Sequence, residues 1–215
     1  MLPVITLLAQ DHETEVAAAA IAALGDFSPS ATRKALLQSL GGVNNQRQRA
    51  ALDAVARHGA ENDFAIVNAV TAIARDTNDG DLRRHAIRTL GAIGNSLAVD
   101  ALVALGGNGK LTAFVIGVLS ELDETRASFL RETWANGTDR ERQLAVDALA
   151  RMRHGGAGPI LAMALNDVSP VIRLAAARAI GRLDLHDARA QLIALSTTDE
   201  NPAVRLAAGD ALARG

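Results

Sequence analysis

The chain contains no cysteine and no tyrosine. Disulfides, thiolate metal sites and a cysteine nucleophile are thereby excluded, while the compartment is left open. Aromatic residues make up 2% of its 215 residues: Phe27, Phe64, Phe114, Phe129 and Trp134. So few rings argue against an aromatic-rich β-sandwich and against a base-stacking platform for single-stranded nucleic acid. Positive charge is in short supply too, with 22 Lys plus Arg against 24 Asp plus Glu and a net charge of -2. A general nucleic-acid binder carries a basic surplus. Lysine occurs only as Lys34 and Lys110. The cationic chemistry is therefore arginine's, the side chain suited to forked, fixed ion pairs. No apolar run is long enough to span a membrane. Residues 1–9 are apolar but lack a basic residue and run into Asp11, Glu13 and Glu15, which is unlike a secretory signal. The expectation is a soluble, cytoplasmic protein.

What the chain has is ample apolar material, 49% of all residues, arranged in a repeating phrase. A turn with Asp is followed by Val-Arg or a similar pair, then by an Ala-rich stretch ending in Leu-Gly. Asp167-Val168-Ser169-Pro170-Val171-Ile172-Arg173 leads into Leu174–Gly181, and Asp199-Glu200-Asn201-Pro202-Ala203-Val204-Arg205 leads into Leu206–Ala213. With the Arg as anchor, the equivalent positions are Ala17, Arg49, Arg83, Thr112, Arg142, Arg173 and Arg205, spaced by 29 to 34 residues. Seven copies leave almost nothing outside the pattern.

Each copy reads as two helices. The first helices are expected over 3–9, 31–40, 64–74, 97–105, 126–134, 159–165 and 188–195. Pro3 and Pro159 suit a first helical turn, where a missing N–H costs nothing. In the second helix Ile172, Ala176, Ala179, Ile180 and Leu183 recur at three- and four-residue steps, the mark of one buried face. Leu82, Ala86, Thr89, Leu90 and Ile93 repeat it, as do Val204, Ala208, Ala211 and Leu212. Gly25, Gly59, Gly94 and Gly181 fall near helix ends, where φ > 0 is often needed. No stretch shows the period of two of a strand. One helix pair cannot bury both its faces, but stacked pairs make a continuous core. The predicted fold is an all-α, right-handed α-solenoid of about seven hairpins forming one array over 1–215. Its copies span approximately 1–27, 28–59, 60–94, 95–123, 124–155, 156–184 and 185–215.

The phrase resembles HEAT repeats, above all the short Ala-rich bacterial subtype named from its occurrence in phycobilisome lyases. The matching residues are Asp167, Pro170, Ile172-Arg173, Ala175-Ala176 and Ala179-Ile180-Gly181. A second set is Asp199, Pro202, Val204-Arg205, Ala207-Ala208 and Ala211-Leu212. The resemblance implies a ladder between turn Asp and anchor Arg, in which Asp167 and Asp199 pair with Arg173 and Arg205 and Arg142 joins the line. Asp11 fits the turn position, although its anchor is Ala17. The fourth copy departs: Gly106 replaces the Asp, Thr112 replaces the Arg, and Gly117 sits inside the second helix at a cost of about 1 kcal/mol against Ala. A bent or softer array is expected there.

Catalytic motifs are wanting. The segment from Gly106 to Lys110, with its Gly106-Gly107-Asn108-Gly109 turn, fails the phosphate-loop spacing, because Ala104 stands at the first Gly and Leu111 follows the Lys. His12, His58, His85, His154 and His186 show no zinc spacing. There is no G-x-S-x-G elbow. Asp123-Glu124 and Glu13/Glu15 sit where acids favour a helix N-terminus. No catalytic, cofactor or metal residue is assigned.

In HEAT arrays the second helices line the concave side. Five residues past the anchor stand Ala22, Ala54, Arg88, Gly117, Asp147, Arg178 and Asp210. Nine past it stand Asp26, His58, Ala92, Glu121, Arg151, Arg182 and Arg214. Arg151, Arg182 and Arg214 thus form a line, one per repeat, with Arg178 beside it, and Arg84 and Arg88 form a separate basic spot. Two readings compete: a groove for an acidic or apolar segment of another protein, or a solvated face with local pairs Asp147–Arg151 and Asp210–Arg214 worth a few tenths of a kcal/mol. Trp134, late in the fifth first helix, reads as a partly buried packing residue.

The leading expectation is a non-catalytic scaffold whose partner-binding residues are Arg84, Arg88, Arg151, Arg178, Arg182 and Arg214. Two other functions follow from the resemblance: a lyase or chaperone seating a tetrapyrrole (bilin) on a carrier protein, and DNA binding of the kind seen in HEAT-like glycosylases. The net charge argues against the second of these. The last helix, over 203–213, is apolar enough to need cover by further chain, a partner or a second copy, so end-to-end self-association is a further expectation.

Overall fold

A computed structural model describes residues 1–58, 63–107, 109–152 and 157–214; Gly59, Asn108, His154 and the side chain of His58 lie outside the described residues. Among the described residues every regular element is helical. The first helices are α1 (Leu2–Leu8), α3 (Pro29–Leu40), α5 (Phe64–Asp76), α7 (Ser96–Gly106), the pair α9 (Glu124–Ala127) and α10 (Phe129–Asn136), α12 (Gly158–Ala164) and α14 (Arg189–Thr198). The second helices are α2 (Thr14–Leu24), α4 (Asn45–His58), α6 (Gly80–Ile93), α8 (Thr112–Ser120), α11 (Asp139–Leu149), α13 (Pro170–Leu183) and α15 (Pro202–Leu212). These alternate as the repeat anchors require. The chain divides into two compact units, Met1–Leu102 and Val103–Gly215, with the boundary inside α7 in the divergent fourth copy.

Local chemistry explains where the helices start. All five prolines stand at the first or second helical position, of α1, α3, α12, α13 and α15. Asp63 and Asp79 accept backbone N–H groups at the starts of α5 and α6, and Asn201 does so for α15. Thr138 and Glu141 form a capping box on α11. The fifth first helix is broken where the sequence predicts one run over 126–134. The Ser128 hydroxyl donates to the Thr125 carbonyl at 2.6 Å, and the tightened turn ends α9 before α10 begins. A 3₁₀ turn over His186–Ala188 precedes α14.

In the first unit α2, α4 and α6 pack successively, each against its own first helix on the other side. In the second unit α8, α11, α13 and α15 pack successively too, and α11, α13 and α15 each meet their own first helix. Each unit is thus a short α-solenoid of stacked hairpins, as the fold class read from the sequence requires. The cores use the expected positions: Ile172, Ala176, Ala179 and Ile180 are buried in α13, and Leu82, Ala86, Leu90 and Ile93 in α6.

Of the described glycines expected at positive φ, Gly94 alone has it, at φ 58. Gly25 ends α2 in the right-handed region. Gly181 lies inside α13, where a Cβ would stand 2.7 Å from both Cα and Cβ of Ala211. Its role is close approach of α13 to α15.

Candidate protein-interaction face

Two sets of arginines must be separated before a surface can be assigned: those that tie repeats together, and those that do not. The anchors belong to the first set. Arg142 Nε donates to Asp167 Oδ2 at 2.8 Å and Arg173 Nε to Asp199 Oδ2 at 2.7 Å. Each rung therefore joins an Arg to the turn Asp of the following repeat. The Asp167 carboxylate pairs with Arg142 and not with Arg173, correcting the register expected from the resemblance. The inner nitrogen holds the repeat's own turn, Arg173 Nη1 donating to the carbonyls of Asp167 (2.8 Å) and Val168 (3.1 Å). Arg205 binds the carbonyls of Asp199 and Glu200 in the same way. Asp167 and Asp199 are the buried carboxylates of the second unit. The guanidinium of Arg173 holds the Asp199 carboxyl below its ordinary value against the opposing effect of burial.

In the first unit Arg49 Nη2 donates to Asp79 Oδ2 at 2.6 Å. The Asp79 carboxyl is held down to about 2, chiefly by the Leu82 N–H it caps and then by Arg49. Thr112, which replaces the anchor Arg in the fourth copy, donates its hydroxyl to the Gly106 carbonyl at 2.6 Å.

Sequence reasoning missed further ties of the first unit, three of them as follows. Arg33 on α3 forks onto Asp63, which heads α5. Arg57 on α4 donates to the Ala22 carbonyl near the end of α2, its guanidinium lying over Gly25. His85 Nε2 lies 2.8 Å from Asp53 Oδ1. The signal available for all three was spacing by one repeat, since each partner lies 30 to 35 positions away. A cavity of about 440 Å³ also opens between the end of α1, α3 and the loop before α4. Arg47 on its wall donates to the Asp11 carbonyl, while its buried Nε meets no acceptor among the described residues.

The arginines expected on the partner face do not share one environment. Arg84 pairs with Asp81 on its own helix, and Arg88 has an interaction of its own, so neither is a free cation. Arg182 donates to the Ala150 carbonyl at 2.8 Å, capping the end of α11 from the next repeat. Arg151 is exposed beyond α11. Arg178, Arg182 and Arg214 are brought together with Asp210 around a cleft of about 250 Å³ between α13 and α15. The floor is Gly181, Ala207 and Ala211, so the close helix approach at Gly181 is also what gathers the guanidinium groups. Arg178 and Arg214 are exposed, and their guanidinium groups form no ion pair or hydrogen bond with the described residues. The local pairs Asp147–Arg151 and Asp210–Arg214 do not form; Asp147 accepts instead from Gln143 Nε2 at 3.0 Å. Trp134 is half-buried, in line with a packing role.

Residues 127–213 match the family described as HEAT repeats. This part of the chain is made of HEAT repeats. No curated protein matches the chain. Among solved structures, it is similar to human deoxyhypusine hydroxylase in complex with glycerol (17% identity over 99% of this chain and 95% of that chain, TM-score 0.42). It is similar as well to computationally designed armadillo repeat proteins for modular peptide recognition (17%, 100% and 99%, TM-score 0.39). A further similarity is to the complex of CpcE and CpcF of phycocyanin lyase from Nostoc sp. (17%, 98% and 96%, TM-score 0.34). None of these likenesses says what this chain binds. Among the described residues there is no cluster of three metal-ligating side chains, and no helix is long and apolar enough to cross a membrane.

Proposed function

We propose that the chain is a non-catalytic scaffold that binds an acidic segment of another protein on the face of its second helices, centred on Arg178, Arg182 and Arg214. The observation that carries this reading is the α13–α15 cleft. Three guanidinium groups border it, two of them spend no donor on the described residues, and one carboxylate, Asp210, opposes them. Unpaired arginines over a floor of small residues suit a carboxylate-bearing strand or helix, because each guanidinium offers a forked donor pair. Arg151 extends the site towards the preceding repeat. Affinity would reside in these few contacts, with the charge chiefly setting specificity and on-rate.

A fluorescein-labelled Glu/Asp-rich peptide, followed by anisotropy, tests the proposal. Arg178→Glu with Arg214→Glu is the informative pair, because Arg182 also caps α11 and its loss would unsettle the fold. The double variant is expected to bind at least about tenfold more weakly, or about 1.4 kcal/mol, with an unchanged melt. Asp210→Asn is expected to tighten binding. Equal affinity of wild type and double variant would refute the proposed face.

A further inference from the structure

The α13–α15 cleft is small for a site with three cations. Its volume of about 250 Å³ falls below the roughly 300–1,000 Å³ of sites that enclose a whole small molecule. It has room for one compact group at the tip of a side chain. All three guanidinium groups at its border are exposed. Those of Arg178 and Arg214 meet no acceptor among the described residues, and Arg182 spends only Nη2, on the Ala150 carbonyl at 2.8 Å. The floor is fixed by the close packing of α13 on α15 at Gly181.

Charge then selects the group. Three guanidinium groups against the single carboxylate of Asp210 leave the cleft two positive charges in excess. One carboxylate from a partner offsets half of that and fills one fork. A phosphate monoester is as compact, carries close to two negative charges at neutral pH and presents three strong acceptor oxygens. Each guanidinium then has an oxygen of its own. The small volume suits the short side chain of phosphoserine or phosphothreonine better than phosphotyrosine, whose ring would have to share it.

The surroundings separate a single phosphate from a phosphate backbone. One repeat before Arg178 the equivalent place is held by Asp147, and one repeat after it by Asp210. Glu121 stands one repeat before Arg151. A nucleic-acid strand laid along the second helices would bring a charge at every step and would meet these carboxylates in turn. One dianion among the three arginines avoids them, and Arg151 is left for a carboxylate of the same partner segment.

We infer that the α13–α15 cleft seats a phosphorylated serine or threonine of the partner's segment, with the phosphate oxygens held by Arg178, Arg182 and Arg214. The inference rests on the reading of this cleft as the partner site and names the group that the acidic segment carries there. Binding is thereby switched on by phosphorylation of the partner.

Three fluorescein-labelled peptides test this by anisotropy at about pH 7.5, one otherwise neutral sequence with phosphoserine, Glu or Ser at its centre. The phosphoserine peptide is expected to bind at least about tenfold more tightly than the Glu peptide, and the Ser peptide most weakly. The advantage of phosphoserine should shrink at about pH 5, where the phosphate has lost most of its second charge. It should disappear in Arg178→Glu/Arg214→Glu, with Arg178→Gln as the milder variant should that double reversal unfold the array. Equal affinity for the phosphoserine and Glu peptides overturns the inference, and so does an advantage that survives the loss of the arginines. A labelled DNA duplex that binds as tightly as the phosphopeptide, and is lost in the same variant, overturns the choice of a protein partner. Binding of the Glu/Asp-rich peptide separates the two readings: if it persists while phosphoserine gives no advantage, the partner face stands and the phosphate seat falls, and if neither peptide binds, both fall.

Discussion

Replacing Arg173 by Met removes one ladder rung while keeping most of the side chain's apolar stem. The Asp199 side chain is 2% exposed and that of Arg173 16%, so the pair is nearly dry. Two charge-assisted hydrogen bonds, at 2.7 and 2.9 Å, are lost. Asp199 then keeps the Asn201 N–H as its described donor. Stripping one partner from a buried pair costs about 3–5 kcal/mol. Water entering the space left by the partly exposed guanidinium lowers this, and about 2–3 kcal/mol is the expected loss, within the range of a single hydrogen bond to a charged group. Arg173→Met with Asp199→Asn should then cost less than the sum of the single changes, with a coupling of about 1.5–3 kcal/mol. Repeat arrays open locally, so the assay is hydrogen exchange of the α15 amides, which needs no two-state assumption. Exchange there should accelerate about thirtyfold in Arg173→Met, the factor for about 2 kcal/mol. An acceleration below about fivefold, the range of an exposed surface pair, would refute the reasoning.

Acid should loosen the ladder. The Asp199 and Asp63 carboxyls are held below their ordinary 3.8 chiefly by hydrogen bonds from Arg173 and Arg33, and that of Asp79 is held to about 2. Each titrates lower in the fold than in the unfolded chain. Its contribution is therefore complete above pH 3.8 and is lost as pH falls towards the folded value. The melting temperature should fall through that acid window, less steeply in Asp199→Asn; a melt unchanged down to pH 2 would contradict this. Two glycines should respond with opposite sign. Gly181→Val forces α13 off α15 and should destabilise by about 1–3 kcal/mol, whereas Gly117→Ala, in α8 with open space around the new Cβ, should stabilise by about 0.5–1 kcal/mol. Thermal melts of the two variants decide both.

The repeat architecture was legible because anchor spacing and apolar periodicity survive in a single sequence. Arg49, Arg83, Arg142, Arg173 and Arg205 all fall in second helices at the expected place. The partner of each rung was less accessible. An Asp six residues before an Arg invites a local pairing, yet Arg173 spends its inner nitrogen on the local carbonyls and reaches forward for its carboxylate. The break at Ser128 escaped notice because one hydroxyl bond leaves no mark on the hydrophobic pattern. At the candidate face, where Arg178, Arg182 and Arg214 line one cleft, spacing put Arg151, Arg182 and Arg214 in a row with Arg178 beside it. It did not reveal that Arg182 is committed to the Ala150 carbonyl, or that Arg84 is taken by Asp81. Such assignments depend on rotamers and on which carbonyl a helix end leaves open.

The most direct test of the central claim is a titration of isotope-labelled protein with the Glu/Asp-rich peptide, read by backbone amide and arginine side-chain resonances. The account predicts that the largest shifts cluster at Arg178, Arg182, Asp210 and Arg214, and that they vanish in Arg178→Glu/Arg214→Glu. Shifts that cluster on another face, or survive that double reversal, would contradict it.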